Sequence, residues 1–152
     1  MVVKLPPFKG CFGCGHLNPI GLRLERFWDR SEGVVYSDFV LSENYQGFDG
    51  VAHGGIISTI ADELLWWVIA AQEKVCSLTA QMTVRYKRPV LCGVSYRGVA
   101  KVTERRGRKI RATCVIEREG EVHAEAEGLF VALPHEEWEK FLASLEDPSV
   151  LS

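Results

Sequence analysis

The longest apolar segment of the chain follows a helical period. From residue 54 to about residue 74, apolar residues recur at helical spacing and cover nearly every side of the predicted helix: Ile56, Ile57, Ile60, Ala61, Leu64, Leu65, Val68 and Ile69. A helix that is apolar almost all round belongs in a protein interior. Its uninterrupted apolar run, residues 64–71, is too short to cross a bilayer. The pattern therefore predicts a buried core helix.

The segments on either side of this helix alternate in the manner of strands. Residues 22–28 and 34–41 precede it, and the alternating segment 78–87, which ends before Pro89, follows it. Three further strands are predicted over residues 96–104, 110–118 and 121–133, joined by tight turns that make them antiparallel. A short amphipathic helix from Pro134 and a frayed tail complete the chain. One apolar helix and one antiparallel sheet must cover each other, so we predict an α+β fold in which the sheet curls around the helix.

Length and composition place this fold in one domain of ordinary character. The 152 residues divide into an irregular segment over residues 1–20, the folded domain over 21–133, and a C-terminal helix and tail over 134–152. A net charge of −2 gives no general attraction to nucleic acid or to an anionic membrane. The first residues contain no apolar run of signal-peptide length, and five cysteines do not suggest a disulfide framework. We expect a cytoplasmic protein.

The candidate chemistry lies in and before the core helix. Asp62 is about two turns inside it among apolar neighbours, where lost solvation raises the pKa of a carboxyl group and suits it to act as base or nucleophile. Glu63 is the alternative acid and points about 100° away around the helix. Gly54 and Gly55 open the helix, and their N–H groups have no side chain that would block an approaching oxygen. Trp66 and Trp67 are interpreted as core packing.

Cys11 and Cys14 invite a metal interpretation. Their spacing is typical of half a zinc site, but a structural zinc site needs a second pair of ligands, and the other cysteines are single. We favour a tight glycine turn that packs two small thiols, and expect no metal and no cofactor.

Several of these motifs together resemble one known family. They are His53-Gly54-Gly55, Asp62 nine positions after the histidine, the strand at 79–89 ending in Arg-Pro, the opening from Cys11 to Leu22, and the segment Tyr45-Gln46-Gly47. The combination resembles the hotdog-fold acyl-CoA thioesterases, in particular the group related to the phenylacetate-pathway thioesterase. The resemblance covers roughly residues 10–133. It implies a curved antiparallel sheet wrapped around one long central helix.

The resemblance also implies an activity and an assembly. The substrate would be an acyl-CoA, and the chain would form a homodimer or homotetramer whose acid and oxyanion donor come from different subunits. Asp62 would attack the thioester carbonyl or activate water to do so. The N–H of Gly55 or Gly54 would hold the developing oxyanion, with the Thr79 hydroxyl near the attacking water. His53 is expected to orient the site.

The residues expected to bind the substrate depart in part from the family pattern. Relatives often carry asparagine where this chain has Gly47, and the adjacent Gln46 could replace it. Arg85 and Arg88 are candidates to meet the phosphates of coenzyme A. Two alternatives remain open: a non-catalytic acyl-CoA-binding sensor or interaction module, and an enoyl-CoA hydratase on the same fold with His53 as its base.

Overall fold

A computed structural model describes residues 1–152, and one antiparallel sheet accounts for all its strands. The strands are β1 (Val2–Lys4), β2 (Phe27–Asp29), β3 (Val34–Val40), β4 (Ser77–Tyr86), β5 (Ser95–Arg106), β6 (Lys109–Arg118) and β7 (Glu121–Ala132). Their order across the sheet is β1-β2-β3-β5-β6-β7-β4. The helices are α1 (Gly54–Glu73) and α2 (His135–Ala143), with short 3₁₀ helices at Glu43–Tyr45 and Pro148–Leu151.

Helix α1 is the centre of the hydrophobic core, as the apolar spacing predicts. It packs against β3, β4, β5, β6 and β7, and Ile60, Leu64 and Leu65 are completely buried. The sheet approaches closely because β5 carries Gly98, where a Cβ would lie 2.5 Å from the Leu64 side chain. By length and composition α1 resembles a membrane span, but 61% of its apolar window is buried inside the protein. It is a core helix.

The predicted α+β architecture, with a sheet around one helix, is confirmed, but its first strands differ from the prediction. Residues 1–20 are not wholly irregular, because β1 pairs antiparallel with β2. Three residues are too short for alternation to reveal a strand. Strand β2 is also shorter than the predicted 22–28. The N–H groups of Leu22 and Leu24 donate to the carbonyls of Phe12 and Gly13, so that stretch pairs with a turn rather than a strand.

The C-terminal tail is held in place instead of frayed. Leu151 is 1% exposed and belongs to the core. The ammonium of Lys74, the residue that ends α1, donates to the Leu151 carbonyl, and the Arg30 guanidinium donates to the carbonyl of Val150 at 3.3 Å. Two buried leucines, Leu145 and Leu151, and two long-range hydrogen bonds leave no periodic pattern in the sequence, which explains the error.

Strand β4 is an edge strand whose apolar side chains are only partly covered. The alternation of residues 78–87 predicts a half-buried strand, and Met82 and Val84 are half-buried against the core. At the two ends of the strand, however, Leu78 is 62% and Tyr86 55% exposed in the single chain. The pairing with β7 shifts register between Thr79 and Gln81, so Ala80 forms a bulge. Nothing within the chain covers the outer side of β4, because its other edge has no neighbour in the sheet.

Candidate active site

The carboxyl group of Asp62 lies half-buried between α1 and β4. The hydroxyl of Thr79 donates to Oδ1 of Asp62 with an O–O distance of 2.6 Å. Burial raises the pKa of Asp62, the Thr79 hydrogen bond lowers it in part, and the charge of Glu63 raises it further. The net upward shift follows from the apolar helix surface around the acid, as the sequence predicts. A carboxylate with one hydrogen bond and little solvation is a stronger base than a free aspartate.

Asp62 also lines a cavity of about 610 Å³. The apolar part of its wall is aromatic and aliphatic, and charged side chains, among them Lys9, Glu137 and Lys140, share the lining. The aromatic and aliphatic residues are Phe8, Trp66, Trp67, Leu78, Leu133 and Phe141. The indole N–H of Trp66 donates to the carbonyl of Ser77 at 2.8 Å, which fixes the ring against the start of β4. Packing is the interpretation that the sequence favours for the two tryptophans over a place in a pocket wall, but both line this cavity. Their position one turn after the acid was the available signal.

Glu63, the alternative acid, is occupied elsewhere. Its Oε1 accepts the indole N–H of Trp67 at 2.9 Å, and its Oε2 accepts the thiol of Cys11 at 3.5 Å. One oxygen is therefore engaged within α1, and the other holds the N-terminal segment against it. Asp62 is the acid left with an oxygen for chemistry in the cavity.

The start of α1 presents one free N–H group. The N–H of Gly55 donates to Nδ1 of His53 at 2.9 Å, whereas the N–H of Gly54 has no partner in the chain. Because Nδ1 of His53 accepts a hydrogen bond, the neutral ring carries its proton on Nε2. The hydroxyl of Tyr86 donates to the Gly54 carbonyl at 2.9 Å and lies 2.7 Å from the hydroxyl of Ser58. Tyr86, which is not among the site residues predicted from the sequence, therefore connects the start of this helix to β4 by hydrogen bonds.

Gln46 and Gly47 belong to the loop before the helix. Oε1 of Gln46 accepts the N–H of Gly50 at 3.0 Å. A Cβ on Gly47 would lie 3.3 Å from Cα of His53, so this glycine lets the loop pack closely on the histidine. Gln46, His53 and Gly55 share one shallow depression at the surface, and Asp62 and Thr79 are not part of it.

The two groups of candidate residues are separated along the helix. Gly54 and Asp62 are eight positions apart, which at 1.5 Å per residue is about 12 Å along the axis. A reacting carbonyl has to lie roughly 3 Å from both the attacking group and the oxyanion donor. One copy of the chain therefore cannot bring its own Gly54 and Asp62 to the same carbonyl.

The cations at the end of β4 are engaged at the surface. Arg85 lies 3.6 Å from Glu125, and Arg88 lies 3.6 Å from Glu121. Their side chains are 70% and 57% exposed, so these pairs are weak and both guanidinium groups remain accessible to an anion.

Cys11, Cys14 and Glu63 are the one group of potential metal ligands that the chain brings together. Their ligand atoms lie within 4.8 Å of one another. Three donors fall one short of a structural zinc site, and the buried guanidinium of Arg26 acts on all three by its charge. A second cation is therefore disfavoured at this position.

Comparison with known proteins identifies the family of the chain. The family model described as "Thioesterase superfamily" matches residues 49–125, which include the helix start, Asp62 and all of β4. The chain belongs to the thioesterase superfamily. The resemblance seen in the motifs is thereby confirmed at the level of the superfamily.

Individual superfamily members share most of the chain's length. Acyl-coenzyme A thioesterase THEM4 of Xenopus laevis is 30% identical over 118 residues, covering 75% of this chain and 52% of that protein. The chain of residues 1–152 therefore matches about half the length of that THEM4 protein. The structure of protein RHA08564, thioesterase superfamily protein, has a TM-score of 0.74 at 30% identity, covering 80% of this chain and 60% of that chain.

A more distant match shows the shared fold alone. The structure of smu.793 from Streptococcus mutans UA159, which is bound to acetyl CoA, has a TM-score of 0.62 at 16% identity and covers 66% of this chain and 82% of that one.

Proposed function

We propose that this protein hydrolyses the thioester bond of an acyl-CoA. The observation that supports this most is Asp62, a half-buried carboxyl group with a raised pKa in the wall of an apolar cavity. Superfamily membership and the names of the THEM4 relatives favour the same substrate class. A thioester carbonyl is electrophilic enough for one carboxylate and one oxyanion donor to suffice.

In the proposed reaction, Asp62 or a water molecule that it deprotonates bonds to the thioester carbonyl carbon. The carbonyl oxygen becomes an oxyanion and accepts the N–H of Gly54 at the positive end of α1. The carbon–sulfur bond then breaks, and the coenzyme A thiolate leaves and takes up a proton. Where water is the nucleophile, Asp62 holds the proton taken from it and the free acid is released. Where Asp62 itself attacks, a water molecule hydrolyses the resulting mixed anhydride, which releases the free acid and restores the carboxylate. His53 holds Gly55 through its Nδ1 and so fixes the helix start in an open form.

We propose that each site is built from two copies of the chain. The ~12 Å between Gly54 and Asp62 within one helix requires the donor and the acid to come from different chains. The outer edge of β4 runs for ten residues without a neighbouring strand and carries the exposed side chains of Leu78 and Tyr86. Such an edge pairs readily with a second strand, and pairing along β4 would bring Asp62 and Thr79 next to the partner copy.

The two parts of the substrate would occupy different surfaces. We propose that the acyl group enters the 610 Å³ cavity, whose aromatic walls suit an apolar chain or ring. The phosphates of coenzyme A would meet the exposed guanidinium groups of Arg85 and Arg88 at the end of β4.

The hydratase alternative is disfavoured by one contact. A His53 base would need an unprotonated ring nitrogen facing the substrate. Its Nδ1 is already occupied by the N–H of Gly55, and Nε2 of the neutral ring is a donor. The sensor alternative predicts acyl-CoA binding without turnover, and release of free thiol from acyl-CoA distinguishes it from the hydrolase.

The test is release of free thiol from a panel of short, long and aromatic acyl-CoA substrates. We expect turnover that Asp62→Asn abolishes while the fold is retained. Glu63→Gln is the matched control, because it removes the neighbouring charge and should retain most turnover. Gly54→Pro should cost about 10²–10³ in kcat, because it removes one N–H at a helix position where proline fits. No turnover on any substrate, or the loss of turnover in Glu63→Gln alone, would contradict the proposal.

A further inference from the structure

The turn that carries Cys11 and Cys14 has a geometry that suits a disulfide. The N–H of Gly15 donates to the Cys11 carbonyl at 2.8 Å, which closes a single helical turn. A single turn brings the Cα atoms of residues three apart within roughly 7 Å, near the roughly 4.4–6.8 Å that a disulfide spans, but their Cβ atoms lie roughly 5–6 Å apart, wider than the roughly 3.5–4.5 Å that it requires. The two sulfur atoms already lie within 4.8 Å of each other. Closing the bond therefore takes rotation of both side chains and a tightening of the turn by about 1–2 Å.

Two glycines shape this turn, and one of them lets it lie directly against helix α1. A Cβ on Gly13 would lie 2.4 Å from Oε2 of Glu63, and a Cβ on Gly15 would lie 2.2 Å from the carbonyl oxygen of Lys9. A larger residue in place of Gly13 would push the turn away from Glu63, and one in place of Gly15 would clash within the turn itself. The spacing Cys-x-Gly-Cys-Gly therefore brings both thiols to a carboxylate.

The surroundings of the two thiols are charged, which packing alone does not require. Arg26 is 1% exposed, its guanidinium lies over the Trp67 ring at 4.4 Å from the centroid, and its Nη1 has no hydrogen-bond partner. Its positive charge acts on Cys11, Cys14 and Glu63. A buried cation near a thiol favours the thiolate, which is the reactive form, whereas the Glu63 carboxylate raises the pKa of both thiols.

The two cysteines differ in the way that a nucleophile and its resolving partner differ. Cys11 is half-buried, and Cys14 is 1% exposed beneath it. The interaction with Cys14 lowers the pKa of Cys11 to about 7 against the opposing effects of burial and of the Glu63 charge, whereas the same interaction and burial raise the pKa of Cys14. Both line the cavity that contains Asp62, so a small molecule in the cavity reaches Cys11 first.

We propose that Cys11 and Cys14 are a redox-active dithiol that undergoes exchange with low-molecular-weight disulfides. The Cys11 thiolate attacks one sulfur of the disulfide, whose S–S bond breaks and releases one thiol. Cys14, after losing its proton towards the neighbouring carboxylate of Glu63, attacks the sulfur of Cys11 and releases the second thiol. Two protein thiols are oxidised to one disulfide, and one small disulfide is reduced to two thiols.

This inference does not depend on the thioesterase proposal, and its test uses no turnover. The reduced full chain is incubated without oxygen in a series of glutathione disulfide or coenzyme A disulfide concentrations. Free thiols are then blocked under denaturing conditions and the peptides are identified by mass. Five cysteines are free in the reduced chain, so three blocked thiols and a Cys11–Cys14 disulfide are expected.

Single variants separate the two roles. Cys14→Ser should accumulate the mixed disulfide on Cys11, Cys11→Ser should leave Cys14 unmodified, and Cys92→Ser, outside the cavity, should behave as the natural chain. Faster reaction with coenzyme A disulfide than with glutathione disulfide would assign binding of the coenzyme A portion before exchange, and equal rates would assign exchange without binding. Both results support the dithiol.

Other results would overturn it. They are five free thiols at every disulfide concentration, oxidation of Cys92 before Cys11, or a purified chain with one zinc ion whose thiols react only after a chelator is added. The last of these would assign the cluster to a metal instead. Because the natural chain alone gives each of these readings, the test holds even where a variant fails to fold.

Discussion

The hydrogen bond between Thr79 and Asp62 controls when the proposed acid is ionised. Its O–O distance of 2.6 Å is in the range of a charge-assisted bond from a hydroxyl to a carboxylate. Such bonds contribute about 1.5–3 kcal/mol, and the exposed position of Thr79 on the edge strand favours the lower figure. About 1.4 kcal/mol corresponds to a tenfold change in an equilibrium constant.

Thr79→Val should therefore lower the ratio of ionised to protonated Asp62 about tenfold at a given pH. The direction of this change follows from the effects that already act on the pKa of Asp62. Burial already raises the pKa of Asp62, and the Thr79 bond opposes that rise, so losing the bond raises the pKa further. Since only the ionised form attacks or deprotonates water, activity is lost as pH falls through this pKa. The acidic limb of the profile of kcat against pH should move to higher pH.

The assay is thiol release from the best acyl-CoA substrate across a range of pH, with Thr79→Ser as the matched control. Serine keeps the hydroxyl and should keep the limb in place. The valine variant should lose about tenfold on the acidic limb and recover at high pH. An equal loss at every pH, with the limb unmoved, would refute this reasoning and assign the hydroxyl to the attacking water.

Three further predictions concern stability and assembly. At pH 7, Asp62→Asn should melt at or above the melting temperature of the natural chain, because a carboxyl group whose pKa is raised by folding destabilises the fold when it is charged. In calorimetry the difference should vanish once acid protonates Asp62 in both the folded and the unfolded state. A lower melting temperature of the variant at pH 7 would contradict this. Leu78→Glu should shift the assembly towards monomer in light scattering. Val40→Glu is the control and should not, because Val40 is 59% exposed, close to the 62% of Leu78, but lies on an interior strand. Equal masses for both variants would contradict pairing along β4. Tyr86→Phe removes the bonds to Gly54 and Ser58 and should cost about 1–2 kcal/mol of unfolding free energy in urea titration; an unchanged midpoint would show that these bonds do not hold the helix start.

Local signals predicted the elements on which the site depends. The all-round apolar spacing of α1 identified the core helix, and the apolar neighbours of Asp62 predicted the direction of its pKa shift. Both properties follow from residues within one or two helical turns. They can therefore be derived from the sequence without knowledge of the fold.

Contacts between distant segments were not predictable in this way. The thiol of Cys11 meets Glu63 across 52 positions of the chain, and the hydroxyl of Tyr86 reaches Gly54 across 32. Phe141 enters the cavity wall from a helix that was predicted only as a terminal element. Alternation in β4 likewise identifies an apolar face but cannot tell whether its own chain or another copy covers that face.

Mixing two inactive variants tests most directly whether one active site needs two chains. Asp62→Asn lacks the acid, and Gly54→Pro lacks the oxyanion donor. When the two are unfolded together, refolded and assayed for thiol release, half of the random dimers are mixed and each contains one intact site, so about a quarter of the natural activity should return. If the mixture is no more active than its two components, the acid and the donor do not come from different chains, and the proposed site is wrong.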